Sequence, residues 1–133
     1  MRRRTERARR ATRTAGVLAL ILGGAGVTHF LRPRGYDRIV PDGLPPRTTT
    51  LASGLAEVGI AAALLVPATR RRAGWAAAAL FLAVFPANLK MASDLLDHPR
   101  SSRTARLVSV LRLPLQAPLV AWALRVARQA PRR

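Results

Sequence analysis

The chain has 133 residues, half of them hydrophobic, and its 23 Arg and Lys against six Asp and Glu give a formal net charge of +17. It contains no Cys, which excludes disulfides, thiol relays, cysteinyl iron–sulfur clusters and CxxC redox chemistry, and its two His are too few for a dedicated His-based metal site. One small domain is expected at this length, and because the cations cluster between four apolar runs, with few aromatic residues among them, the charge does not describe a nucleic-acid binder.

Residues 1–14, MRRRTERARRATRT, carry seven Arg and one Glu and read as a disordered cytoplasmic tail held near anionic lipid headgroups. The first apolar run covers 15–31. A basic start before a short apolar segment is also the pattern of a signal peptide, with small residues at Gly24, Ala25 and Gly26. Three further apolar runs, and continuation of this one to Leu31, favour a retained span. Residues 32–47 are too polar and Pro-rich to cross a bilayer. Tyr36, Ile39, Val40 and Leu44 instead fit a brief interfacial turn of helix.

The second run, 50–67, is interrupted by a single charge, Glu57. A tight loop then supplies Arg70, Arg71 and Arg72. The third run begins at Gly74 and continues to Leu89 for sixteen residues without a charge. A span over 74–92 covers roughly 28 Å of helix, close to the hydrocarbon thickness of a bilayer. Its last third turns polar at Pro86, Asn88, Lys90 and Asp94, the last two spaced for a local ion pair. After the polar stretch DHPRSSRTAR comes the fourth run, 107–126, broken by Arg112, Pro114, Gln116 and Pro118. Residues 127–133 form a second basic tail.

The pattern predicts an all-α membrane protein: four transmembrane helices in an up-down bundle, with a short interfacial segment between the first two. Both tails and the Arg70–Arg72 loop then share one side with fourteen basic residues, against eight in the longer loops of the other side. The positive-inside rule places the fourteen, and both termini, in the cytoplasm.

In that bundle the strongly polar residues share a depth. His29, Asn88, Arg112, Glu57 and Gln116 all fall in the outer half, roughly 4 to 14 Å below the outer helix ends. Glu57 is the most telling, because an ionisable group at that depth should face the bundle interior and find a partner. Two roles are open to it: a structural tie to Arg112 or Asn88, or a proton-handling or ligand-polarising carboxyl. His29 is a candidate hydrogen-bond or proton partner for Glu57 or for a quinone carbonyl. Pro86 and Pro114 would free the carbonyls of Leu82 and Val110, and Asn88 or Gln116 are the side chains able to replace those bonds. Gly23, Gly24, Gly26, Gly54, Gly59 and the alanines at 76–79 permit close helix approach.

Four segments carry a resemblance: GVTHFLRPRGYDRIVP at 26–41, SGLAEVGIAAALLVP at 53–67, ALFLAVFPANLKMASD at 79–94 and RLPLQAPLVAWAL at 112–124. Together they resemble the DoxX-like family of small bacterial four-helix membrane proteins, over about residues 16–128. The resemblance implies a multi-pass protein of the bacterial plasma membrane. It also implies an accessory role in a redox or quinone-linked membrane system, since the family is named for similarity to a membrane subunit of a thiosulfate:quinone oxidoreductase. Relatives that handle thiols use cysteines, so that role does not carry over to this chain.

The expected function is therefore an accessory membrane subunit. It would have the lipid bilayer, other redox subunits or further copies of itself as partners, and a quinone as the candidate cofactor. A small proton-coupled carrier acting as an oligomer through Glu57 is the alternative, and a soluble nucleic-acid binder the remote one. No nucleophile–base pair, metal set or nucleotide loop is legible, so catalysis by this chain alone is not expected. Reporter fusions after Arg47, Arg72, Arg103 and Arg133 should read outside, inside, outside and inside; an outside reading at Arg133 would mean that the fourth run does not cross.

Overall fold

The computed structural model describes residues 2–130. They form α1 (Arg2–Leu31), α2 (Pro33–Asp37), α3 (Pro46–Leu65), α4 (Arg70–Ala83), α5 (Phe85–Asp97) and α6 (Arg103–Gln129), and among the described residues there is no strand. Four stretches are long and apolar enough to cross a membrane: Thr5–Leu31, Pro46–Leu65, Arg70–Asp97, which joins α4 and α5, and Arg103–Gln129. At most a third of the apolar window of any of them is buried inside the bundle. Large apolar side chains point outward instead, Leu20 being 79% exposed and Leu55 68%. That is a surface suited to hydrocarbon, and the chain is a multi-pass membrane protein.

The spans form a ring in which each packs on antiparallel neighbours: α1 on α3 and α6, α4 on α3 and α6. Both ends of the described chain and the short α3–α4 loop lie at one end of the bundle, called here the terminal end. The 32–45 and 98–102 connections lie at the opposite end.

Local chemistry fixes the helix boundaries. Pro46 opens α3 after an extended Pro45, where its missing N–H costs nothing. Ser102 caps α6, its Oγ accepting from Ala105 N at 3.1 Å. The last carbonyls of α3 are closed from outside the helix. Arg70 donates to Leu64 O at 2.9 Å and to Leu65 O at 3.0 Å, while Thr69 Oγ1 donates to Ala63 O at 2.7 Å. Arg70 also reaches Thr12 Oγ1 of α1 at 3.1 Å, so it ties two helices as well as ending one.

Two sequence expectations need correction. The first fourteen residues are not a disordered tail: from Arg2 onward they are the opening turns of α1, and Ala11 is only 1% exposed. The small Ala side chains and the Arg70–Thr12 bond hold this segment on the bundle. The third run is not one straight helix, because α4 ends at Ala83 and α5 starts at Phe85, with Val84 at the junction. Pro86 has no N–H and its ring crowds the carbonyl four residues back, which accounts for the break. By contrast α6 remains continuous through Pro114 and Pro118. The interfacial turn appears as α2. Of the second basic tail, residues 127–129 extend α6, and 131–133 lie outside the described residues.

The two halves of the bundle are built differently. The terminal half is a dry core of Leu18, Leu22, Leu64, Phe81 and Val126 set among alanines. The six buried polar side chains of the described residues, His29, Thr50, Glu57, Asn88, Ser109 and Gln116, all lie in the opposite half. Close helix approach depends on three glycines, two of them among those singled out from sequence. Gly26 faces the Gly54 carbonyl, and a Cβ built on Gly74 would lie 2.6 Å from Ala127 N and 2.9 Å from Ala123 O, both backbone. A Cβ on Gly24 or Gly59 would meet nothing within 4 Å. Gly74→Ala should therefore lower stability in detergent by about 1–3 kcal/mol, since backbone cannot move aside. Gly59→Ala should be neutral or slightly stabilising; equal thermal shifts for the two would refute this packing.

Candidate functional site

In the opposite half the bundle opens. Beyond Val84, α5 stays against α6 but has no contact with α3 comparable to that of α4. The space so left is a cavity of about 600 Å³ bounded by α1, α3, the α4–α5 junction and α6, and roofed by Tyr36, Val40 and Leu44 of the α1–α3 connection. Most of its wall is apolar, from Ile21, Leu22, Phe81, Leu115 and Leu119 among others.

All five candidate residues read from sequence line this cavity: His29, Glu57, Asn88, Arg112 and Gln116. They form two groups. On one side Glu57 meets His29, with Oε2 3.3 Å from Nδ1, and Ser53 Oγ donates to Glu57 Oε1 at 3.3 Å. On the other side Asn88 Nδ2 donates to Gln116 Oε1 at 3.2 Å, and Gln116 Nε2 donates to the Phe81 carbonyl. That carbonyl lies just before the helix break and one residue ahead of Leu82, so Gln116 fastens the broken turn but at a different carbonyl from the one Pro86 frees.

The partner of Glu57 is His29 rather than Arg112. Arg112 is exposed at the cavity wall, and among the described residues it makes no ion pair or hydrogen bond. The reason is in the α1–α3 crossing. A Cβ on Gly54 would lie 2.7 Å from His29 Cβ, and one on Gly26 would lie 3.0 Å from Glu57 Cβ. Each glycine thus makes room for the polar residue three positions after the other, in the matched pairs Gly26/His29 and Gly54/Glu57.

The His29–Glu57 contact is not a well-aligned hydrogen bond. His29 Nδ1 also lies 2.9 Å from the Ala25 carbonyl, which can only accept, so Nδ1 carries a hydrogen and directs it there. Glu57 Oε2 is left buried without an aligned donor, and Thr50 Oγ1 is likewise buried and unpartnered. Buried polar atoms of this kind are uncommon; both belong to residues of the cavity wall, although the atoms themselves are shielded from its interior.

Three participants escaped the sequence reading. Thr50 and Ser53 precede Glu57 by seven and four positions on the inward face of α3, whose buried residues are Thr50, Gly54, Glu57, Ala61 and Leu64. That helical spacing was available as a signal. Tyr36 had none, because α2 folds back over the bundle: its ring stacks on His29 at 3.7 Å between centroids, and its hydroxyl lies 2.5 Å from Thr28 Oγ1. An Arg47–Asp37 contact of 3.0 Å pins α2 to the start of α3. Lys90 and Asp94 form the expected i,i+4 pair at 2.9 Å, away from the cavity.

The architecture defines a class: a helical, multi-pass membrane protein with a polar-headed cavity in one half of its bundle. Within that class the chain belongs to the family described as a domain of unknown function, DUF8561, which matches residues 18–127, nearly the whole bundle. No curated protein matches the chain, and no solved structure does.

Gln116 joins α6 to both Asn88 and the broken turn. Gln116→Leu should leave a buried amide and a freed carbonyl unsatisfied and lower thermal stability by about 1–3 kcal/mol. Adding Asn88→Leu should recover part of the loss, and a strictly additive double variant would argue against the Asn88–Gln116 bond.

Proposed function

We propose that this protein is an accessory subunit of a redox or quinone-linked membrane system, of DoxX-like kind, that holds a lipid-soluble ligand of the quinone class in its cavity. One observation carries the reading: a mainly apolar cavity of about 600 Å³ gathers a few polar side chains on its wall, Glu57, only 5% exposed, among them. A volume in this range suits a ring-sized head group, and a few convergent polar groups in an apolar wall are the usual make-up of a small-molecule site. Glu57, Thr50 and Arg112 would hold the head group, and Leu115 and Leu119 would flank its chain. When bound, a quinone supplies reversible two-electron chemistry; the residues described bind it, orient it and keep water away. The DoxX-like resemblance underlies our inference of a bacterial plasma membrane, and the basic-residue count that of cytoplasmic termini.

A proton-coupled carrier working as an oligomer is the second reading, favoured by the buried His29–Glu57 contact. The two are separable in one preparation. Purified protein in nanodiscs should gain thermal stability with added short-chain quinone, as linkage requires for a ligand of the folded state. Ala87→Phe, which fills the cavity wall, should fold and lose that gain. Absence of any quinone-dependent shift, with proton flux through the protein in sealed vesicles, would replace the first reading with the second.

A further inference from the structure

Acids and bases are unevenly matched between the two ends of the bundle. Of the six acids, Asp37, Asp42, Glu57, Asp94 and Asp97 lie in the opposite half, and Glu6 alone belongs to the terminal end. There α1 packs on α6, and a hollow of about 480 Å³ is lined by Glu6, Arg7 and Arg10 of α1 and by Arg125 and Gln129 of α6. Spacings of three and four residues put each set on one face of its helix. Arg7, Arg10 and Arg125 are exposed, and among the described residues none of the three guanidinium groups makes an ion pair or a hydrogen bond.

Three like charges gathered on one hollow repel one another unless an anion joins them. A mobile tail would spread them apart. Here the buried Ala11 and the Arg70–Thr12 bond hold the opening turns of α1 on the bundle, so Arg7 and Arg10 stay beside the hollow. Glu6 offsets one of the three, leaving a net two positive charges, more than a single phosphodiester neutralises. The N-terminal dipole of α1 and the C-terminal dipole of α6 oppose each other at this end, so the side chains set the sign. Height points to the source of the anion. Counting outward from Ala15, where the apolar run of α1 begins, Arg10 stands about 8 Å and Arg7 about 12 Å beyond the hydrocarbon, while Arg125 ends the fourth apolar run. The headgroup layer is roughly 5–8 Å deep on each side of a bilayer, so Arg125 and Arg10 bracket it. We infer that this hollow binds the headgroup of one anionic phospholipid, its phosphate held by the guanidinium groups of Arg10 and Arg125, with Arg7 and Gln129 at the rim. Guanidinium and phosphate match in charge and in planar, two-pronged hydrogen bonding, and basic pockets between membrane helices suit such headgroups. The site is independent of what the cavity in the opposite half holds.

The delipidated full chain in a neutral detergent, titrated with dioctanoyl phosphatidylglycerol, dioctanoyl phosphatidylcholine or inorganic phosphate, tests this by thermal unfolding. Phosphatidylglycerol should raise the unfolding temperature saturably, with one lipid retained per chain in native mass spectrometry. Phosphatidylcholine, neutral overall, should bind roughly tenfold more weakly or worse, and inorganic phosphate at matched concentration should give no comparable rise. Arg10→Gln with Arg125→Gln should weaken phosphatidylglycerol binding by roughly tenfold or more. Arg9→Gln with Arg13→Gln removes the same charge from α1 outside the hollow and should leave the affinity nearly unchanged. All four arginines are exposed, so both double variants should fold; if the first does not, Arg125→Gln alone makes the comparison. Equal affinity for the two lipids overturns the inference, as does a full effect from inorganic phosphate, which would mean a free-anion site. Equal losses in the two double variants would mean diffuse attraction and overturn it too.

Discussion

The missing N–H of Pro86 is the constraint from which much of this bundle follows. It ends the regular helix at Ala83 and redirects the third span at Val84. Within a bilayer no solvent is at hand to repair a freed carbonyl, so another helix must bring a donor. Gln116 of α6 brings one to Phe81, a residue before the Leu82 carbonyl that Pro86 itself frees, and its own carbonyl oxygen takes a hydrogen from Asn88 of α5. The redirected segment is thereby fastened to α6, and the wall it would have formed with α3 is absent. Cavity and fastening both lie at this one interruption.

The contrast between the halves has a common physical origin. Lipid tails are as apolar as leucine, so burying leucine inside the bundle gains little, and helices must hold together by close contact and by hydrogen bonds. The terminal half uses contact: alanine faces, and Gly74 against the backbone of α6. The opposite half adds polar contacts to the close Gly26–Gly54 crossing: His29 against Glu57 at 3.3 Å between α1 and α3, and hydrogen bonds from Asn88 to Gln116 and from Gln116 to Phe81. A half held by directional bonds can be open in the middle, whereas one held by contact cannot.

Much of the architecture was legible in the sequence because length and hydropathy report it directly. The four spans, the interfacial turn and the shared level of Glu57, His29, Asn88, Arg112 and Gln116 all follow from rise per residue. Rise gives height and not rotation, however, and this is why Arg112, Asn88 and His29 were all candidate partners for Glu57 when only His29 is the neighbour across α1 and α3. The azimuth was set by Gly26 and Gly54, whose role needs both helices in view. The opening segment misled for a related reason: a run of arginines describes solubility and says nothing of the alanines at 8, 11 and 15 that give the helix a face to pack. Tyr36 reaches His29 through a change of chain direction that no periodicity records.

The continuity of α1 has a mechanical side. Thirty helical residues make a rod of about 45 Å, while a bilayer core is about 30 Å thick. With the apolar run beginning at Ala15, close to 18 Å of rod, carrying its arginines, projects past the hydrocarbon boundary as a stiff extension of the span. The segment is not free-standing, because Ala11 is buried and Thr12 is bonded to Arg70, so its motion is coupled to the start of α4. Further along the same unbroken helix come Leu18 and Leu22, and Leu22 is already part of the cavity wall.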